Sequence, residues 1–265
     1  DLYLGNFGPD RLFLNKRDGT FADITATAGI DNSSWTTSVA LADFDRDGWL
    51  DLYVTNYVDY RADTKCPDNS GRPDYCGPHV FNGQPDRLYR NLGVASAGDD
   101  GSPGPRFADV SATAGISRQG GPGLGVVCAD FDDDGWPDIY VANDGTMNFL
   151  YENQLGSFVE NGLYTGGRYN ADGLPEAGMG VDFGDVQNDG WQDLYVTNFT
   201  NETNTLYIND RGQFRDATEQ WNLGLPSRRH TGWGVAFVDL DHDGFLDIPL
   251  VNGLALPCRW RSTDA

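Results

Sequence analysis

The chain has 265 residues, of which 40 are acidic and 18 are basic, so its formal net charge is −22. This balance excludes nucleic acids and other polyphosphates as partners, because binding them requires a basic surface that releases counterions. Hydrophobic residues make up 39% and aromatic residues 12% of the chain, which is too apolar for a disordered acidic tail, and no apolar run approaches the roughly 20 residues of a transmembrane segment.

Four acidic segments with one pattern recur along the chain. Each reads D-x-D-x-D-G-aromatic-x-D, except that the third has glutamine at position three, and they occupy residues 43–51, 130–138, 185–193 and 239–247. Their starts lie 87, 55 and 54 residues apart, which indicates a period near 54 with one enlarged unit. The chain is therefore predicted to be a single repeat region, residues 1–265, with units at residues 1–50, 51–137, 138–192 and 193–246 and a partial unit at residues 247–265.

Each unit is predicted to supply four short β-strands. An apolar strand that ends in asparagine follows the last aspartate, as in residues 51–56, and a hairpin with glycine in its turn comes next, as in residues 206–214. A further strand, such as residues 125–129, leads into the next acidic segment, and no helix is expected beyond a turn around residues 26–28 or 112–114. Four-stranded units in tandem predict an all-β fold, a β-propeller with one blade per unit.

The enlarged unit carries an insertion, residues 57–86, that is rich in proline and glycine. It contains Cys66 and Cys76, ten residues apart, which a disulfide can join into a small loop. The alternative is a pair of free thiols in a surface loop, which would suit a reducing cytosol where disulfides are rare.

The acidic segments are predicted to be metal-binding loops. Four carboxylates that converge within nine residues repel one another by about 1 kcal/mol per pair in water, and by more near a protein surface, so a cation is needed. Oxygen ligands without histidine or cysteine select a hard ion, and Ca²⁺ suits such a flexible loop better than the strictly octahedral Mg²⁺. We expect one Ca²⁺ per loop, bound by the side chains at positions one, three, five and nine and by the carbonyl at position seven. The expected ligands are Asp43, Asp45, Asp47, Trp49 and Asp51; Asp130, Asp132, Asp134, Trp136 and Asp138; Asp185, Gln187, Asp189, Trp191 and Asp193; and Asp239, Asp241, Asp243, Phe245 and Asp247.

Two other interpretations of these loops are weaker. An EF-hand shares D-x-D-x-D-G but requires an acidic residue at position twelve and flanking helices, whereas position twelve here is valine or leucine within a predicted strand. Acidic turns that merely stay solvated would not be expected to recur in register. The third loop is predicted to bind its ion more weakly, because Gln187 offers a neutral amide oxygen.

A polar patch is a candidate ligand site away from the loops. Glu176, Arg228, Arg229 and His230 lie just before predicted inner strands, a position near the central channel of a propeller. Ordinary loop polarity is the competing explanation. The chain has only three histidines, and their spacing assembles no acid/base pair or catalytic metal cluster, so no catalytic residue is predicted.

The acidic repeats resemble the FG-GAP/VCBS repeat family, whose calcium-binding blades also occur in integrin α-subunit propellers. Residues 51–59, 66–77, 85–91 and 202–207 are similar to the cartilage-acidic-protein-like group of secreted proteins. The resemblance covers essentially the whole chain and implies a seven-bladed propeller, Ca²⁺ in the acidic loops, a secreted, extracellular or periplasmic location and an adhesion or scaffold role. Four units and partial blades at both ends are fewer than seven blades, which predicts part of a larger ring; a closed ring of five blades is the alternative.

These features predict a calcium-stabilised module that binds a protein or a glycan, or acts as a structural scaffold, rather than an enzyme. The alternative from another class is a polysaccharide-active propeller enzyme, such as a lyase, with Glu176, Arg228 and His230 at the mouth of the channel. A subunit of a larger extracellular assembly is compatible with the first hypothesis.

Overall fold

The structure, a computed structural model, describes residues 1–67, 70–74, 76–94 and 104–253. Across these residues the chain is all-β: the strands form antiparallel sheets, and the helical segments are single turns. None of the described helices has the length and hydropathy that a bilayer crossing requires. The end of the predicted terminal unit, residues 254–265, lies outside the described residues.

Each sheet is built from strands that follow one another in sequence. The first sheet contains β1 (Leu2–Leu4), β2 (Arg11–Asn15) and β3 (Phe21–Asp23), and the helical turn α1 (Thr25–Ala28) follows it. The second sheet begins with β4 (Thr36–Ala42) and β5 (Asp51–Asn56). The insertion then forms a small hairpin of β6 (Cys66–Pro67) and β7 (Pro73–Asp74) and a 3-10 turn (Pro78–Val80), before the sheet ends with β8 (Arg87–Val94) and β9 (Pro105–Asp109).

The remaining sheets repeat this order. After α2 (Ser111–Ala114) and a 3-10 turn (Ile116–Arg118), the third sheet contains β10 (Gly123–Ala129), β11 (Asp138–Asn143), β12 (Phe149–Gln154) and β13 (Ser157–Glu160). After α3 (Gly162–Thr165), the fourth contains β14 (Gly178–Gly184), β15 (Asp193–Asn198), β16 (Thr205–Asp210) and β17 (Gln213–Asp216). After α4 (Gly224–Ser227), the fifth contains β18 (Thr231–Val235) and β19 (Leu250–Gly253). The predicted units begin at the second strand of a sheet, so each four-stranded sheet takes its first strand from one unit and the other three from the next.

The hydrophobic core lies between successive sheets. One cluster joins Phe44 and Tyr53 of the second sheet to Ile139 and Phe149 of the third, and further clusters join each of the other neighbouring pairs of sheets. The second strand of each four-stranded sheet is buried along its whole length, which explains its apolar sequence. The first strands lie side by side in the order β4, β10, β14 and β18. Burial of apolar side chains between the faces of neighbouring sheets therefore holds the array together.

A disulfide joins Cys66 to Cys76 across the small hairpin of the insertion, with their Cα atoms 5.2 Å apart. In the hairpin that it closes, Cys66 pairs with Asp74, two residues before Cys76. The disulfide thus closes the loop that the cysteine spacing predicts.

A buried carboxylate ends the insertion, and its counterparts in later sheets are amides. Asp86 is 3% exposed and accepts hydrogen bonds from the Tyr53 hydroxyl and the Asn56 N–H, both at 2.8 Å. In the third sheet, Asn148 accepts from the Asn143 N–H at 2.9 Å and donates to the Tyr140 hydroxyl at 2.9 Å. The same backbone contact is therefore made by a titratable group in one sheet and by a neutral group in another.

Replacing Asp86 with asparagine is expected to remove a pH dependence from the free energy of unfolding. Burial raises the pKa of Asp86 to about 7, above its unfolded value of about 4. The folded state then binds this proton more tightly than the unfolded state does. The contribution of protonated Asp86 to the free energy of unfolding is therefore full below about pH 4 and is lost as the pH rises to about 7. Urea denaturation between these pH values should show a flatter profile for Asp86→Asn than for the wild type.

The reciprocal variant is the control for this prediction. Asn148→Asp places a carboxylate in the equivalent buried position and should add a loss of stability as the pH rises. Parallel profiles for the wild type and both variants would show that neither position titrates during unfolding.

Candidate metal centre

Each acidic loop joins the first strand of a sheet to the second, so all four loops lie at equivalent ends of their sheets. Residues 43–51 connect β4 to β5, residues 130–138 connect β10 to β11, residues 185–193 connect β14 to β15, and residues 239–247 lie between β18 and β19. The position-nine aspartate of the first three loops is the first residue of the second strand, so the sheet itself positions this carboxylate.

Two left-handed residues fold each loop. Position six is glycine in every loop, with φ between 89° and 96°, as the glycine in the motif predicts. Position four is also left-handed, with φ between 56° and 63°, although it is not glycine in any loop; its occupants are Arg46, Asp133, Asn188 and His242. Such a conformation is uncommon for residues other than glycine, so the surrounding contacts of the loop must hold it.

Hydrogen bonds from the backbone to the aspartates supply those contacts. In the first loop, Asp43 accepts from the N–H groups of Asp47 and Gly48 at 3.0 and 2.9 Å, and Asp47 accepts from the N–H of Trp49 at 2.9 Å. The other three loops repeat these bonds at positions one and five. The motif therefore fixes the backbone of the loop as well as bringing carboxylates together.

Carboxylates at positions one, three and nine meet in three of the loops. In each case one oxygen from each side chain lies within 4.8 Å of the others; the groups are Asp43, Asp45 and Asp51; Asp130, Asp132 and Asp138; and Asp239, Asp241 and Asp247. The third loop has Gln187 at position three, and its Asp185 and Asp193 do not belong to such a carboxylate group among the described residues. Oxygen atoms at this separation match the about 2.3 to 2.6 Å bonds that Ca²⁺ makes to oxygen, and the donor set contains only hard ligands, so the residues present fit Ca²⁺.

The position-five carboxylates do not belong to these groups, and their role and that of the position-seven carbonyls as ligands stay predictions. The position-five carboxylates, Asp47, Asp134, Asp189 and Asp243, each accept the N–H of position seven through one oxygen. The position-seven side chains lie at the surface, where the guanidinium of Arg46 stacks over the ring of Trp136 at 5.3 Å from its centroid.

The aspartate at position nine is buried in the first three loops. Asp51, Asp138 and Asp193 are at most 2% exposed, and each accepts two backbone N–H groups, from position two of its own loop and from an asparagine in the third strand of its sheet. Burial raises the pKa of Asp51 to about 6, that of Asp138 to about 7 and that of Asp193 to about 6. For Asp51 the N–H donors oppose this shift, whereas the nearby carboxylates of Asp45 and Asp47 add to it. A cation in the loop would stabilise the ionised form of each of these groups.

Two asparagines connect the loops of neighbouring sheets. Asn153 in β12 donates its side-chain amide to Pro137 O of its own loop at 3.0 Å and to Phe44 O of the preceding loop at 2.9 Å. Asn209 in β16 makes the equivalent bonds to Gln192 O at 3.0 Å and to Phe131 O at 2.8 Å. The sequence pattern marks both asparagines as repeat positions, but this contact between sheets is not visible in it.

The predicted polar patch is divided in the structure. Glu176 is half-buried and accepts from the Thr205 hydroxyl at 2.6 Å and the Asn198 amide at 3.0 Å, which hold it against the fourth sheet. Arg228, Arg229 and His230 are exposed, and within the described part of the chain no ion pair joins them to Glu176. A shared role for these four residues stays a prediction.

Comparison with known proteins identifies similar sequences. A family model described as FG-GAP-like repeat matches residues 1–54, 130–196 and 185–248. Cartilage acidic protein 1 of Homo sapiens is 29% identical over 198 residues, which is 72% of this chain and 24% of that protein. The protein of the same name from Xenopus tropicalis is 32% identical over 137 residues, which is 51% of this chain and 16% of that protein. The chain thus matches about a quarter or less of the length of these relatives.

Solved structures show more distant similarity. An Agrocybe aegerita lectin that recognises non-reducing terminal N-acetylglucosamine aligns with 92% of this chain and 69% of its own, at 17% identity and a TM-score of 0.34. Trypanosoma rangeli sialidase in complex with sialic acid aligns with 95% of this chain and 48% of its own, at 12% identity and a TM-score of 0.38.

Proposed function

Because the chain belongs to the FG-GAP-like repeat family, we propose that its acidic loops bind Ca²⁺ and that it is a calcium-stabilised β-propeller module outside the cytoplasm. The observation that carries this proposal is the convergence of carboxylates at positions one, three and nine in three separate loops. Three anionic groups this close repel one another, and a bound cation would offset that repulsion. When bound, Ca²⁺ would supply that positive charge, and the loop residues would hold the ends of neighbouring strands.

The arrangement of the sheets supports a propeller. Successive four-stranded sheets contact one another through their first strands, and apolar side chains of neighbouring sheets form each core cluster. Radial packing of this kind leaves only the short outer strands as edges. In this proposal each sheet is one blade, and the predicted unit boundaries fall between the first and second strands of a blade.

The proposed role is binding or scaffolding in an extracellular or periplasmic setting. The Cys66–Cys76 disulfide supports an oxidising compartment. The curated relatives carry the name of a cartilage protein and not of an enzyme. A protein or glycan partner, or the other subunits of a larger extracellular assembly, would then dock on a rigid array whose loops Ca²⁺ holds in place.

Calcium is expected to raise the melting temperature of the protein, and a substitution in a single loop is sufficient to test this. A single site occupied at 100 times its Kd adds about 2.7 kcal/mol to the free energy of unfolding. Thermal unfolding followed by circular dichroism should therefore occur at higher temperature in Ca²⁺ than in EGTA, and calorimetric titration should give one ion per intact loop. Asp132→Asn, at position three of the second loop, should lose one bound ion and part of the calcium-dependent shift.

Asp133→Asn is the matched control, since it makes the same change of charge one residue away, at position four. That position lies outside the carboxylate group, and the third loop has Asn188 there with the same left-handed backbone. Equal melting temperatures in Ca²⁺ and EGTA would overturn the proposal, as would equal effects of the two variants.

A further inference from the structure

A cavity of about 440 Å³ lies at the ends of the sheets opposite the acidic loops. Its lining includes Tyr57, Asp144 and Phe199, each of which immediately follows the asparagine that ends the second strand of a sheet. Trp35, just before β4, and Trp233, in β18, complete the aromatic part of the wall. Equivalent positions of successive sheets therefore converge on one cavity, whose volume is within the range of small-molecule sites.

Aromatic rings form a fixed corner of this cavity. The rings of Trp35 and Tyr57 are nearly perpendicular, at 86°, with centroids 5.1 Å apart. Phe7 and Tyr60 pack edge to face against Trp35 at 5.2 and 5.8 Å, which holds the indole in place. Trp233 is 42% exposed, so part of its indole is accessible to a ligand.

Two carboxylates, Asp144 in the wall and Glu202 beside it, give this cavity negative charge. Asp144 is half-buried in the wall and accepts a hydrogen bond from the Tyr57 hydroxyl. Glu202 accepts the N–H of Ala177, another wall residue, at 2.8 Å, and its charge interacts unfavourably with that of Asp144. Among the described residues no ion pair is made by Asp144. Burial raises the pKa of Asp144, because its charged form loses water, and the hydrogen bond from Tyr57 opposes this shift only in part.

We propose that this cavity binds an organic ammonium cation. Aromatic faces attract such a cation through their quadrupoles, and a half-buried carboxylate that lacks a cationic partner gains one when the ligand binds. Both carboxylates repel anionic ligands, including acidic saccharides. The shared chemistry occurs in free quaternary ammonium compounds and in the lysine side chains of a partner protein.

The closest competitor is a neutral saccharide, whose apolar faces can also stack on aromatic rings. The two occupants differ in charge, so the choice between them depends on Asp144 rather than on the rings. A test must therefore vary the charge of the ligand and of the site while it keeps both shapes.

The probe is choline, compared with its uncharged tert-butyl analogue, in which carbon replaces the ammonium nitrogen. Titration calorimetry and the fluorescence of the two wall tryptophans should show saturable binding of choline, with the analogue weaker by about tenfold or more. Asp144→Asn keeps an oxygen that can accept a hydrogen bond from the Tyr57 hydroxyl. This variant should weaken the binding of choline by about tenfold and leave the binding of the analogue unchanged. A lysine-rich peptide in a parallel titration distinguishes a protein side chain from a small molecule as the source.

A second pair of variants tests the aromatic wall. Trp233→Leu should weaken choline binding, whereas Trp221→Leu should not, because Trp221 is 40% exposed but lies outside this cavity. Equal binding of choline and its analogue, preference for a neutral saccharide, or no saturation by either choline or the lysine-rich peptide would overturn the proposal.

This site and the calcium loops are tested separately. A protein whose melting temperature responds to Ca²⁺ but that binds neither ammonium probe would overturn the ammonium site alone. One that binds choline but melts at the same temperature in Ca²⁺ and EGTA would overturn only the calcium proposal.

Discussion

The Asn209→Ala variant is expected to lose about 2 to 6 kcal/mol of unfolding free energy, because its side chain satisfies two buried backbone groups, each costing about 1 to 3 kcal/mol when unpaired, and a third that is half-buried. Asn209 is fully buried; its amide donates to Phe131 O and Gln192 O, and its Oδ1 accepts the N–H of Gly212 at 2.8 Å. Alanine leaves all three groups without this partner, and two of them lie where water does not reach. Urea denaturation followed by tryptophan fluorescence, in saturating Ca²⁺, measures the difference.

Asn15→Ala is the matched control, because Asn15 occupies the same repeat position in the first sheet but is exposed. Its side chain accepts the N–H of Arg17 at 2.8 Å, and water can replace that bond. Its loss should cost about 1 kcal/mol or less. If Asn15→Ala and Asn209→Ala destabilised the protein equally, the contact between sheets would contribute nothing of its own.

The position of Asn209 explains how one loop is connected to the next. Its amide holds position two of the loop at residues 130–138 and position eight of the loop at residues 185–193. Its backbone N–H binds Asp193, the buried carboxylate of the second of these loops, at 2.8 Å. Asn153 makes the equivalent bonds between the loop at residues 43–51 and the loop at residues 130–138. The first three loops are therefore part of one hydrogen-bonded framework and not independent turns, and the fourth is joined to the third by a longer bond from the Asn188 amide to Gly244 O at 3.5 Å.

Much of the fold could be predicted from the sequence, because the repeat makes the same local signal several times. The buried second strands, the hairpins and the helical turns near residues 26–28 and 112–114 all follow from composition and spacing. The left-handed turn at Leu155 and Gly156 could be predicted only in part. Glycine marks one of its two positive φ angles, whereas Leu155 adopts φ 57° because the hairpin register requires it.

The candidate sites were less predictable, since they depend on contacts between sheets. The motif predicts which aspartates converge, but the hydrogen bond from the position-seven N–H to the position-five carboxylate is not visible in it. The sequence places Glu176 in a ligand patch because it lies just before a predicted inner strand, and it does not reveal that Thr205 and Asn198 donate hydrogen bonds to this carboxylate. The aromatic cavity draws on four sheets, and no local pattern in the sequence brings Trp35 and Trp233 together.

Replacing Gly115 with alanine is expected to destabilise the protein by about 2 to 5 kcal/mol, from a left-handed backbone cost of about 1 to 2 kcal/mol and an overpacking cost of about 1 to 3 kcal/mol. Gly115 ends α2 with φ 93°, and a Cβ there would lie 2.5 Å from Phe158 O in the next sheet. The obstacle is backbone in a paired strand, which cannot rotate away as a side chain could. Urea denaturation of the calcium-loaded protein measures the loss.

Gly19→Ala separates the two costs, because Gly19 has a similar φ of 86° but an added Cβ would meet nothing within 4 Å. It should lose only the backbone contribution of about 1 to 2 kcal/mol. Gly29 and Gly166 end the helical turns of the first and third sheets and approach Phe107 O and Phe214 O in the same way, so alanine at either position should match Gly115→Ala. Equal losses at Gly19 and Gly115 would mean that the close approach of neighbouring sheets does not constrain these glycines, and their recurrence would then reflect helix termination alone.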